Sequence, residues 1–366
     1  MPAFSFSAAQ EDECRAFLIE RSTHTESIPV VDPAQLLMAA DGSIAETGYR
    51  FNAIGFAALA NSLGRGLNSL FNELVGESHN NFDAAARAGQ VAKAAQIYNT
   101  ALKCRFDSLL ERHILLNHRD KTIDGFLGLE HKFVANSSFF DLLINEVLAR
   151  QDAAAFYRAE LIGREFRVFF SDTASRRNNF LRDRRHTFGG GWYFSNREDT
   201  GRSIRGALCL LTKFGVAIEP KNKKNCLRHT GSDLMGRLIS LTSHCAGRSL
   251  QMDDVCVAVR RMRKTSLHFS SNKKHMDAAT NKVVRYLGQY KVNKEDARRI
   301  CKNTFAVGSD VTPRPLVEAY ADEVVEARNL YDLFCALLRY ARNQYYTTRD
   351  VLQAAGMEML KLPERK

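Results

Sequence analysis

The spacing of apolar residues changes twice along this chain, and that change restricts the folds open to it. From Phe51 the apolar positions recur at three and four residues through Ile54, Ala58, Leu59 and Leu63. After Gly64 and Gly66 they resume through Leu67, Leu70, Phe71 and Leu74. A third helical stretch, Phe82 to Leu102, is alanine-rich and sets Val91, Ala94, Ala95, Tyr98 and Leu102 on one stripe. The character then turns to strands. Glu111 to Asp120 and Ile123 to Phe133 flank a tight connection as hairpin strands do, and Arg164 to Phe170, Trp192 to Phe194 and Ser203 to Ile218 read as further strands. Between them Asn136 or Ser137 is positioned to cap a helix carrying Phe139, Phe140, Leu143, Ile144 and Val147.

Beyond Gly231 the strand signals stop. Leu234–Leu241, Val255–Met262, Ala279–Leu287, Asp296–Phe305 and Leu316–Ala341 support helices, with Thr348 as cap of a last one. The order predicts an α+β chain with N-terminal helices, a central, mostly antiparallel sheet and a helical C-terminal region, rather than a doubly wound parallel sheet. Pro29, Pro33 and the turn near Asp41 break up the start. The expected division is an arm over 1–45, an α+β core domain over 46–230 and a helical domain over 231–366.

Charge narrows the partner. Across 366 residues, Lys and Arg number 52 against 41 Asp and Glu, a formal charge of +11. Such an excess attracts polyanions over long range, so nucleic acid comes first and an anionic membrane surface second. No stretch approaches the roughly 20 apolar residues that span a bilayer. Glu11, Asp12 and Glu13 interrupt any secretion leader, and eight scattered cysteines lack the dense spacing of a disulfide framework. The expectation is a protein of a reducing, cytoplasmic compartment.

The basic residues concentrate in RRNNFLRDRRHTFGGGWYF, from Arg176 to Phe194. Arg176, Arg177, Arg182, Arg184 and Arg185 offer guanidinium forks that match phosphate, beside Phe188, Trp192 and Tyr193 as candidate stacking surfaces for bases. Arg197, Arg202, Arg205, Lys223, Lys224 and Arg228 follow with few acids between them. A second group, Arg260, Arg261, Arg263 and Lys264, closes a helix, where a solvated face is the competing reading. Alternation along strands would place only some of the central cations on one face, and aromatic residues in strands more often pack in a core.

Catalytic and metal signatures are weak. Gly189 to Gly191 lacks the Lys-Ser/Thr of a phosphate-binding loop and reads as an element of flexibility or close backbone approach. Asp172, Asp183, Glu198, Asp199, Glu160 and Glu165 match no two-metal pattern. Cys226, His229, His244 and Cys245 have zinc-like residue types, but adjacent His244 and Cys245 seldom both reach one ion. No catalytic residue, metal or cofactor is expected.

Four segments resemble the phage/plasmid-like proteins, a family built on a domain of unknown function. They are YRFNAIGFAALA from Tyr49, LLNHRDKTIDG from Leu115, WYFSNREDTGRSIRGALC from Trp192 and LRHTG from Leu227. Asn196, Glu198 and Gly201 resemble the family's turn, Cys209 its cysteine, and Arg228, His229 and Gly231 its basic step into a helix. The resemblance spans about residues 45 to 245 and implies a mobile-element origin in a bacterial host. It transfers no catalytic residue.

The first expectation is therefore a non-enzymatic protein of a phage or plasmid that binds nucleic acid, DNA ahead of RNA and single strands ahead of duplex. A metal-dependent nuclease and a structural or inhibitor protein acting through protein contacts are the alternatives. A homo-oligomer remains open, because strand-annealing proteins commonly act as rings or filaments.

Overall fold

In Glu165-Phe166-Arg167-Val168-Phe169-Phe170 the even positions are all apolar, so an extended strand turns a continuous greasy edge to one side. The computed structural model describes residues 3–64, 66–67, 69, 84–110, 112–128, 130–149, 152–162, 164–174, 188–198, 203–265, 273–305, 329–342, 344 and 346–361. In it this stretch is β7 (Glu165–Asp172), at the middle of a large sheet. The order is β1 (Ala3–Ser7), β6 (Ala154–Ile162), β7, β8 (Phe188–Arg197), β9 (Ile204–Thr212) and β10 (Gly215–Ile218), every neighbouring pair antiparallel. The short β11 (Cys226–Leu227) shares the outer edge of β9 with β10. A smaller sheet runs β2 (Thr25–Pro29), β4 (His113–Asn117), β5 (Thr122–Leu127) and β3 (Arg50–Phe51), with β3 parallel to β5.

The first face of the large sheet is apolar. Phe166, Val168 and Phe170, with Trp192, Phe194, Ile204 and Leu208, bury against α1 (Glu11–Thr23), α4 (Asn136–Leu143) and α5 (Leu234–Ala246). Farther along the same face, Phe188, Leu210 and Ala217 join a second core built from α6 (Met252–Lys264), α7 (Lys273–Gly288), α8 (Lys294–Phe305), α9 (Leu330–Arg342) and α10 (Tyr346–Met359). The small sheet has its own core with α2 (Ala53–Leu63) and α3 (Ala84–Lys103). Each buried Phe or Leu contributes roughly 1.5–3 kcal/mol, so these clusters fix how helices sit on sheet.

The α+β class holds. The expected boundaries do not follow the packing. Residues 1–45 are no free arm, because β1 pairs with β6, β2 pairs with β4, and Cys14 and Leu18 of α1 enter the core of the large sheet. The stretch 46–230 divides between two sheets with separate cores. At the other boundary α5 packs with the sheet, and the helical core starts only at Met252.

Two local features also depart from sequence expectation. Asn136 opens α4 without capping it by its side chain. Instead its backbone N–H donates to Glu198 Oε1 at 2.7 Å, while its side-chain oxygen accepts from Asn196 Nδ2 at 2.9 Å. A distant carboxylate thus replaces the local cap at the positive end of the helix. Gly189 to Gly191 are ladder residues of β8, and a Cβ on Gly191 would stand 2.2 Å from the Phe170 carbonyl oxygen. Glycine there serves strand packing.

Candidate nucleic-acid interface

The end of the large sheet where β8 begins gathers described basic residues from three parts of the sequence: the last turn of α6, the β9–β10 turn and α9. The arginine-rich segment 175–187 connects β7 to β8, so it leaves and re-enters the described residues at this end. Phe188, the first residue of β8, lies 6.2 Å from the ring of Tyr331, and the Arg263 guanidinium lies 4.9 Å over that same ring. The last turn of α6 is thereby brought to the mouth of the connection. Phe188 also pairs with Thr212, which puts the β9–β10 turn here. In that turn the buried Phe214 carries Arg339 of α9 at 4.3 Å and Lys213 at 5.0 Å. Cations held over aromatic faces keep their charge while their stems pack.

Within α6 the basic residues have separate tasks. Arg261 donates to the Leu360 carbonyl at 2.6 Å, just beyond the end of α10, where a cation complements the helix dipole. Arg260 and Lys264, one turn apart, are exposed, and Arg263 is half-buried. Lys213 and Arg339 are exposed beside them. Arg339 carries no sequence signal of this role, since only the packing of α9 on β10 brings it to Phe214.

The remaining expected contacts separate. Arg176, Arg177, Arg182, Arg184, Arg185 and Arg202 lie outside the described residues. Phe188, Trp192 and Tyr193 are 1%, 3% and 1% exposed, which corrects their expected role as stacking surfaces. Alternation along β8 turns Phe188 and Trp192 into the first-face cores and Tyr193 into the opposite cluster. The indole N–H of Trp192 donates to the Arg248 carbonyl at 2.7 Å. Arg197 and Arg205 are buried too, so neither is a surface contact for phosphate. Lys223, Lys224 and Arg228 are exposed but belong to the loop between β10 and β11 and to the residue after β11. Arg228 follows Leu227, which pairs with Ile204, eight residues along β9 from Thr212 and so about 26 Å away. A single continuous basic groove is not formed by these side chains.

The far end of the sheet holds a different constellation. A cleft of about 400 Å³ is lined by Phe4 and Phe17, by Arg21 and His24 at the end of α1, by Asp120 and Asp124 of the small sheet, and by Arg164. Its floor is set by Asp124, which accepts from Asn52 Nδ2 at 2.8 Å, from Arg164 Nε at 2.6 Å and from Arg164 Nη2. Arg164 also reaches Glu198 at 3.3 Å and Thr25 at 2.8 Å. Burial acts to lower the Arg164 guanidinium, yet Asp124 and Glu198 outweigh it and hold it above the ordinary value. Burial pushes the Glu198 carboxyl up against the pull of Arg164. The floor of this cleft is a closed structural network that ties both sheets and the start of α4 together.

The zinc-like residues do not assemble. His229 stacks on His131 at 4.9 Å with its Nδ1 at 3.2 Å from the Lys132 carbonyl, while Cys245 sits beneath Gly206. Among the described residues no group of three or more His, Cys, Asp or Glu is placed to hold a metal ion. None of the helices among them is long and apolar enough to cross a membrane.

No protein-family model, curated protein or solved structure matches this chain.

Proposed function

We propose that the protein binds nucleic acid of a phage or plasmid by its phosphate backbone, without cleaving it, at the end of the large sheet where β8 begins. One observation carries the reading. The Phe188–Tyr331–Arg263 contact brings the basic end of α6 to the exit of the five-arginine segment, although about 80 residues separate them in the chain. Lys213 and Arg339 add charge to the same end. With Phe188, Trp192 and Tyr193 inside the molecule, recognition rests on phosphate rather than on stacking against these rings. That chemistry predicts little sequence readout and strong salt dependence.

The test is fluorescence anisotropy with labelled single-stranded DNA, duplex DNA and RNA over a series of salt concentrations. Replacing Arg260, Lys264 and Arg339 together with Ala should weaken binding and flatten the log–log salt slope by about 2 to 3, at ~0.7–0.9 per lost phosphate contact. Replacing Lys223, Lys224 and Arg228 should change the slope by less. An unchanged slope in the folded first variant, or the larger change in the second, overturns the assignment.

A further inference from the structure

The turn between β9 and β10, Thr212-Lys213-Phe214-Gly215, is closed by one of its own side chains. Thr212 Oγ1 accepts from the backbone N–H groups of Phe214 and Gly215, both at 3.1 Å, and donates to the Gly215 carbonyl at 2.9 Å. A hydroxyl that bonds its own turn in this way fixes the backbone on either side of Phe214. The turn also lies against α9. A Cβ on Gly215 would stand 2.7 Å from the Leu338 carbonyl oxygen, so glycine is what lets turn and helix approach this closely.

That approach decides where two cations stand. Leu338 is buried in the helical core together with Phe214, and the next residue, Arg339, carries its guanidinium 4.3 Å over the Phe214 ring. Lys213 holds its ammonium 5.0 Å over the same ring. The two distances bound the separation of the charges at about 9 Å. Phe214 is 7% exposed, so packing sets the plane of its ring, whereas Lys213 and Arg339 are both exposed. Two cations this close repel one another, and the negative face of the ring offsets the repulsion only in part. An anion reached by both removes it.

Building on the nucleic-acid reading above, we infer that Lys213 and Arg339 grip one and the same backbone phosphate, and that Phe214 is the positioning residue that holds the pair. Arginine donates to the phosphate through its planar fork and lysine through a compact ammonium, so the two reach different oxygens of one group. Flexible stems swing across the remaining gap. A ring that keeps both stems near their bound places reduces the side-chain freedom that binding removes. Phe214 touches no ligand itself and acts only through the two cations. The closed turn and Gly215 set that ring, and Leu338 sets the arginine, so the pair is assembled from two elements more than 120 positions apart.

The experiment titrates the full chain against labelled oligo(dT), duplex DNA and RNA of equal length over a salt series, and carries the polymer bound tightest through the variants. Lys213→Ala and Arg339→Ala should each weaken binding roughly three- to tenfold, and the double variant should be little worse than either. Its log–log salt slope should fall by ~0.7–0.9, the share of a single phosphate. Phe214→Leu keeps an apolar side chain in the core but removes the ring. It should weaken binding roughly threefold in the unmodified chain and have no effect in the Lys213→Ala/Arg339→Ala background, whereas a residue serving only the fold would cost the same in both. Single losses that multiply in the double variant, with twice the slope change, overturn the shared phosphate. Equal effects of Phe214→Leu in both backgrounds overturn its positioning role. Should Phe214→Leu fail to fold, the two exposed cations decide alone, by whether their losses multiply. Failure of the unmodified chain to bind any of the three polymers overturns the nucleic-acid reading itself, an outcome distinct from binding with multiplying losses.

Discussion

Acidification should loosen the seam between the segment leading into α4 and the segment after β11, where His131 and His229 stack with 11° between their planes. The Nε2 of each ring is buried without a hydrogen-bond partner. Burial, then the neighbouring His229 and His113, hold the His131 imidazole down to about 4 from an ordinary 6.5. Burial lowers His229 as well, with the hydrogen bond to Lys132 opposing it. A histidine depressed in the folded state takes up its proton more readily in the unfolded chain. This pair is therefore neutral toward stability above about pH 7, begins to destabilise as pH falls through 6.5, and continues to do so toward 4. At pH 5 the His131 shift corresponds to about 2 kcal/mol. Its ring is half-buried, and solvent screening reduces that to roughly 1 kcal/mol. Urea denaturation of the unmodified chain and of His131→Gln at pH 7 and pH 5 reads the contribution of His131 and its coupling to His229, because groups remote from this pair titrate alike in both. The unmodified chain should lose about 1 kcal/mol more over that interval. Equal losses would refute the reasoning and move the acid sensitivity to other groups.

The network at the far end should be far more sensitive to truncation than a surface ion pair. Arg164→Ala leaves Asp124 and Glu198 buried without their cation and should cost about 3–5 kcal/mol in chemical denaturation, whereas a loss under 1 kcal/mol would show that water takes over. Trp192 is the sole tryptophan and is buried, so its emission should be blue-shifted, resist iodide quenching and stay unchanged when nucleic acid binds. Quenching by bound DNA would return Trp192 to the interface.

Periodicity made much of the scaffold legible. The stripes over 234–241, 255–262, 279–287 and 296–305 fall within α5, α6, α7 and α8, and the hairpin around Asp120 is β4 and β5. What was missed shares a physical cause. β6 mixes Arg158 and Glu160 among its apolar residues because its second face meets charge rather than a hydrophobic layer, so it lacks both a clean alternation and an apolar run. β1, β2 and β11 have five residues or fewer and borrow their stability from the strands they pair with. Too few residues in them alternate for a pattern to show.

The same cause misled the reading of charge. Arg197 and Arg205 stand in a basic run that the sequence leaves open to phosphate, and both are buried. The fold instead brings Asp124 to Arg164 across 40 positions and Asp350 to Arg167 across 183. A buried guanidinium requires its counter-charge in space, and nothing requires that partner to be near in sequence. Strand alternation does carry a usable signal, because it places Arg167, Ser195 and Arg205 on the face opposite Val168 and Phe194 once the pairing is known. A strand with apolar residues at every second position and arginine at the others is compatible with solvent or with a charged partner layer. The partner layer here is the start of α10, where Arg349 and Asp350 stand side by side and meet Glu160 and Arg167, so the counter-charges of the strand face come from a helix nearly two hundred positions away.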